Sequence, residues 1–101
     1  MSAGHEFTAT LWRWLDKEGR PGAWYFISLP FALADEIEAS RVPGPGFGSV
    51  RVEVVIGRSR WQTSLFPSAE QKTYVLPVKK QVRTAQGLDE GSPCTVGITL
   101  L

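Results

Sequence analysis

The chain is poor in the residues that most catalytic and metal centres need. It has one cysteine, Cys94, and one histidine, His5, in 101 residues. A lone cysteine excludes an intrachain disulfide and agrees with a reducing compartment. The pair is too small for a zinc set, so no metal is expected. A Ser–His–Asp arrangement would have to recruit His5, which reads as part of a frayed N-terminus, and Ser64 lacks a GxSxG setting. Cys94 follows Pro93 at a strand start and reads as a small, half-buried strand residue. Gly44-Pro45-Gly46 lacks the Lys-Ser/Thr ending and the strand–helix context of a phosphate loop. No apolar run approaches the roughly 18 residues of a membrane helix, and the N-terminus MSAGHEF has no signal pattern. The expectation is a cytoplasmic protein with no membrane contact, no cofactor and no catalytic residues.

Charge of one sign is also lacking overall. The net charge is +1, which gives no general field toward nucleic acid or anionic surfaces. The distribution is uneven, however. Residues 51–83 hold seven Lys or Arg against Glu53 and Glu70, while residues 1–50 and 84–101 are each net acidic. What is abundant is tryptophan: Trp12, Trp14, Trp24 and Trp61. A chain of this length is read as one domain, residues 1–101, with a core that needs no staples.

Periodicity makes the chain mainly β. Glu6 to Leu15 alternates, with Phe7, Ala9 and Leu11 on one face and Thr8, Thr10, Trp12 and Trp14 on the other. Ala23 to Leu29 is apolar on both faces until Ser28, the pattern of a central strand. Pro30 stops it, and Phe31 to Ala39 carries Leu33 and Ile37 at helical spacing. Pro43-Gly44-Pro45-Gly46 marks a loop. Val50, Val52, Val54 and Ile56 share one face of a strand that turns at Gly57-Arg58-Ser59 into Trp61–Phe66, a β-hairpin. Pro67–Lys72 reads as a loop. Thr73–Val78 is a fifth strand, which Pro77 places at an edge or a strand end. Lys79–Gln86 is a short helix closed by Gly87. Cys94–Leu100 is the last strand, with Val96, Ile98 and Leu100 in phase. Six strands and two short capping helices predict a small, six-stranded pseudo-barrel.

Several stretches in this order resemble the bacterial family called domain of unknown function 1905 (DUF1905). They are Leu11-Trp12-Arg13-Trp14, Gly22-Ala23-Trp24 to Leu29-Pro30, Gly46 to Val52, Trp61 to Pro67, Tyr74 to Arg83, Gly87-Leu88 and Gly91. The resemblance implies a partly open six-stranded barrel similar to the double-split barrels of AbrB-like transcription regulators. It implies no reaction. One departure is that Gly91 is followed by Ser92-Pro93, where the family usually has aspartate, so no role of that aspartate carries over.

Candidate site residues follow from charge and ring chemistry. Lys79 and Arg83 are four apart on the second helix, and Lys80 and Arg83 three apart, so all three can share a face. Cations at a helix start oppose its dipole, and the free N–H groups there suit an anion. The plainer alternative is a solvated basic face. Trp12, Trp14 and Trp61, with Ser64 nearby, suit the wall of a pocket for a planar body, against the alternative of core packing. The leading expectation is therefore a non-enzymatic domain that binds a small anionic or aromatic ligand. The competing readings are nucleic-acid binding or regulation by analogy with AbrB-like barrels, which the near-neutral charge disfavours, and a self-associating module, as monomer or homodimer.

Overall fold

The computed structural model describes residues 4–40 and 48–101. The Pro43–Gly46 loop expected from the sequence lies outside the described residues. Among those described, the strands are β1 (Gly4–Thr10), β2 (Trp12–Leu15), β3 (Pro21–Ser28), β4 (Val50–Ile56), β5 (Ser59–Ser68), β6 (Thr73–Pro77) and β7 (Pro93–Leu100). The helices are α1 (Phe31–Ser40) and α2 (Lys80–Gln86). The expected fold class holds, with seven strands instead of six. The extra strand arises because Glu6–Leu15, read as one strand, is interrupted at Leu11.

All seven strands form one antiparallel sheet in the order β1-β7-β4-β5-β6-β3-β2. The two edge strands, β1 and β2, are consecutive in the chain and separated only by Leu11. The sheet therefore curls until its ends meet through one residue. Leu11 holds that seam from both sides of its peptide. Its N–H donates to the Ser92 carbonyl (2.9 Å), and its carbonyl accepts from the Gly91 N–H (2.8 Å). Its side chain is fully buried. β5 makes the matching transition opposite: Ser59–Leu65 pair with β4, and Phe66–Ser68 pair with β6. Pro67 and Ser68, expected in a loop, are thus the end of this strand. Pro67 lies opposite Tyr74.

The period-two pattern delivers one core. Val52, Val54 and Ile56 of β4, Leu65 of β5, Leu76 of β6, Ile27 of β3 and Val96 and Ile98 of β7 all point inward and are buried. Helix α1 adds Leu33 and Ile37 to the same cluster, as their spacing predicts, together with Ala34. One further expectation is corrected. His5 is not frayed: it lies in β1 opposite Ile98 of β7, and its Nδ1 lies 3.6 Å from Glu36 of α1. Of the two settings expected for Pro77, an edge or a strand end, it takes the second, since β6 lies between β5 and β3 and ends at Pro77.

Leu11→Ala should open a cavity at the seam and cost about 2–5 kcal/mol. Leu15→Ala, four residues on and half exposed, should cost less than about 0.5 kcal/mol. Urea unfolding of both variants, followed by far-UV circular dichroism, checks the contrast.

Candidate functional site

Helix α2 is seated by the side chains of Gln86 and Arg83. Gln86 Nε2 donates to Ser59 Oγ at the start of β5 (3.0 Å). The β4–β5 connection is the two-residue loop Gly57-Arg58, and Gly57 takes φ 59°. A Cβ at Gly57 would displace the Gln86 amide from its place against this turn, and φ 59° would strain any side-chain-bearing residue there. Gly87 closes the helix in the left-handed conformation, φ 65°.

From the middle of the helix, Arg83 reaches back over the barrel mouth. Its Nε donates to the Val78 carbonyl (3.2 Å), and its guanidinium lies 3.8 Å from the centroid of the Tyr25 ring. Tyr25 points inward from β3 and is buried. Arg13 of β2 also lies over that ring, at 5.3 Å, and its Nε donates to the Gly22 carbonyl (2.6 Å). Tyr25 is thus a platform between two guanidinium groups.

A cleft of about 620 Å³ opens here between β3, β5, the end of β6 and the start of α2. Its lining is Ala23, Trp24, Tyr25, Trp61, Gln62, Thr63, Pro77, Val78, Lys79, Lys80 and Arg83. None of these residues is acidic, and among the described residues Lys79, Lys80 and Arg83 make no ion pair. Three cations therefore face one hollow with no protein carboxylate to neutralise them. Lys79 precedes the helix with an extended backbone (ψ 158°), and its side chain caps nothing. α2 is only seven residues long, so the side chains, more than any helix dipole, define the charge here.

A second hollow of about 390 Å³ lies beside the first, on the outer face of β2, β3, β5 and β6. Trp14, Trp24, Phe26, Phe66 and Pro77 line it. Trp24 and Pro77 belong to both hollows. Trp24 and Phe26 lie nearly parallel, with 10° between their planes and 6.2 Å between centroids. Trp24 is 63% exposed, an unusual amount for a tryptophan. Trp14 lies against Gly22, where a Cβ would come within 2.9 Å of its ring.

The structure therefore gathers Trp61, Lys79, Lys80 and Arg83 in one cleft and sets Trp14 in the adjoining hollow. Trp12 and Ser64 stand apart. Trp12 packs on Phe26, with centroids 5.1 Å apart, and its Nε1 donates to Ser28 Oγ (2.9 Å). Ser64 accepts from Arg51 Nη1 (3.3 Å) and points away from the core-facing side that Trp61 and Thr63 share. Alternation along β5 explains this: 61, 63 and 65 face one way, 62 and 64 the other. The aromatic lining residues outside the leading candidates are Trp24, Tyr25, Phe26 and Phe66. The available signal was that Trp24 and Phe26 share the outward phase of Trp12 and Trp14.

Elsewhere the chemistry is sparse. Among the described residues no three His, Cys, Asp or Glu side chains gather as a metal site, and no helix is long and apolar enough to cross a membrane. Cys94 is buried more deeply than expected. Burial pushes its thiol up, opposed in part by the Leu11 backbone, and its Sγ lies 3.5 Å from the Ser92 carbonyl.

Fold and cleft together define a small curled-sheet domain with an acid-free cationic hollow beside an aromatic one. The chain belongs to the family described as Domain of unknown function (DUF1905), whose model matches residues 7–98. No curated protein matches the chain.

Two outcomes follow from this packing. Arg83→Ala should lose a ring contact and a hydrogen bond and cost about 1–2 kcal/mol, whereas Lys80→Ala should stay within about 0.5 kcal/mol; thermal unfolding of each variant measures the difference. Cys94 should resist maleimide in the native protein and react fully once unfolded. Because folding raises this thiol, the proton-bound form it favours stabilises fully below the ordinary thiol value. That contribution fades as pH rises through the folded value, so stability should fall on the alkaline side, and less so in Cys94→Ala.

Proposed function

We propose that this domain is a non-enzymatic binding module for a small planar anion held in the cleft of Trp24, Tyr25, Trp61, Lys79, Lys80 and Arg83. The observation that carries the reading is the acid-free cationic lining beside exposed ring faces. Arg83 is already oriented by Val78 and Tyr25, so it loses little freedom on meeting a carboxylate or phosphate. Lys79 and Lys80 are exposed and add charge without fixed geometry. The indoles of Trp24 and Trp61 offer flat surface to a ring.

Binding is preferred to catalysis for a chemical reason. The lining offers no carboxylate, histidine or cysteine to move a proton or attack a substrate, and Lys79 and Lys80 are exposed, without the desolvation that activates a lysine nucleophile. Placement in the cytoplasm belongs to the same proposal, since a lone buried thiol suits a reducing compartment. The AbrB-like analogy adds a regulatory setting to it, in which the bound anion would be the signal.

Thermal shift with benzoate, phenyl phosphate and neutral benzamide tests the proposal. A ligand at roughly ten times its Kd adds about 1.4 kcal/mol, which raises Tm by several degrees. The two anions should stabilise the wild type, benzamide should not, and Lys79→Ala/Lys80→Ala should weaken both anions. The reading is overturned if no aryl anion raises Tm, or if the double variant responds like the wild type.

A further inference from the structure

We infer that the ligand is elongated: an aryl anion with at least two ring systems, its charged end in the cationic cleft and its far ring in the outer aromatic hollow. This rests on the cleft reading above and names its ligand class. The observation is adjacency. Trp24 and Pro77 line both hollows, so the two adjoin across these side chains and one elongated body laid over them can reach into both. Charge is confined to one end. The first hollow carries Lys79, Lys80 and Arg83, while the second is lined by rings and proline alone.

The shape of the second hollow selects a flat body. Trp24 and Phe26 are stacked, and Phe66 and Trp14 stand exposed around them. Rings recognise rings by offset stacking more specifically than they recognise a flexible chain. Left empty, this apolar face remains in water, where contiguous exposed rings are uncommon on a monomer. A second copy of the chain is a poor occupant. A two-fold pair brings the same patch against itself, and no acidic residue among those lining either hollow would meet the cations. A small anion with an extended aromatic body satisfies both ends at once.

Phe66 provides the test, because it lines only the outer hollow and is half exposed. Calorimetry should compare benzoate, biphenyl-4-carboxylate and decanoate on wild type, Phe66→Ala and Lys79→Ala/Lys80→Ala. Biphenyl-4-carboxylate should bind roughly tenfold more tightly than benzoate, the scale of one additional well-packed ring. Phe66→Ala should remove most of that advantage and leave benzoate unchanged. The lysine variant should weaken both. In indole N–H spectra, the biphenyl acid should move Trp14 and Trp24, whereas benzoate should leave Trp14 in place. Because Trp14 is read in the wild type, this arm is independent of whether Phe66→Ala folds well. Equal affinity of benzoate and biphenyl-4-carboxylate overturns the elongated ligand but leaves the cleft reading standing. Decanoate binding as tightly as the biphenyl acid overturns the flat body. No aryl acid binding at all removes the cleft reading, and this inference with it.

Discussion

The structure depends on one residue at which a strand changes partners. Leu11 ends the pairing with β7 and begins the pairing with β3, so the chain from Gly4 to Leu15 serves as both edges of the sheet. Its peptide is hydrogen-bonded to Gly91 and Ser92 on both sides, and its side chain fills the core beneath. A sheet curled in this way keeps both of its edges short, seven residues in β1 and four in β2. It also has mouths, and a mouth is where inward-facing side chains such as Tyr25 can meet a helix from outside.

Curling explains why the charged and aromatic features sit side by side. β3 runs past the mouth, and its alternation sends Tyr25 inward and Trp24 outward. α2 begins just after β6 ends, so Lys79 and Lys80 arrive at the rim beside Pro77. Arg83 turns back one helical turn later and settles on Tyr25. The near-neutral total charge hides this local arrangement, because the acids lie elsewhere, as in the Glu53–Arg60 and Asp16–Arg20 ion pairs.

Much of the fold was legible, because strands covered on one face must alternate. Val50–Ile56 and Cys94–Leu100 show this plainly. The break at Leu11 was not legible, since a strand that passes from one partner to another keeps its period of two. The extension of β5 through Pro67 was hidden because proline usually marks a loop. Of the candidate site, Trp61 with Lys79, Lys80 and Arg83 could be selected from chemistry and helical spacing. Trp12 and Ser64 could not be separated from them without knowing which face each strand turns to the mouth. Ala23–Leu29 misled in a different way. Apolar residues on both faces suggested two covered sides, yet the side bearing Trp24 is open.

What the sequence by itself determined was local: most of the strands, both helices and the core phase of most elements. These depend on neighbours a few residues apart, where periodicity and turn residues act directly. Only the tertiary structure decided the closure at Leu11, the seating of Arg83 on Tyr25 and the joining of a cationic cleft to an aromatic hollow through Trp24 and Pro77. Those depend on how far the sheet curls, which is set by packing across the whole barrel and leaves no mark at any single position.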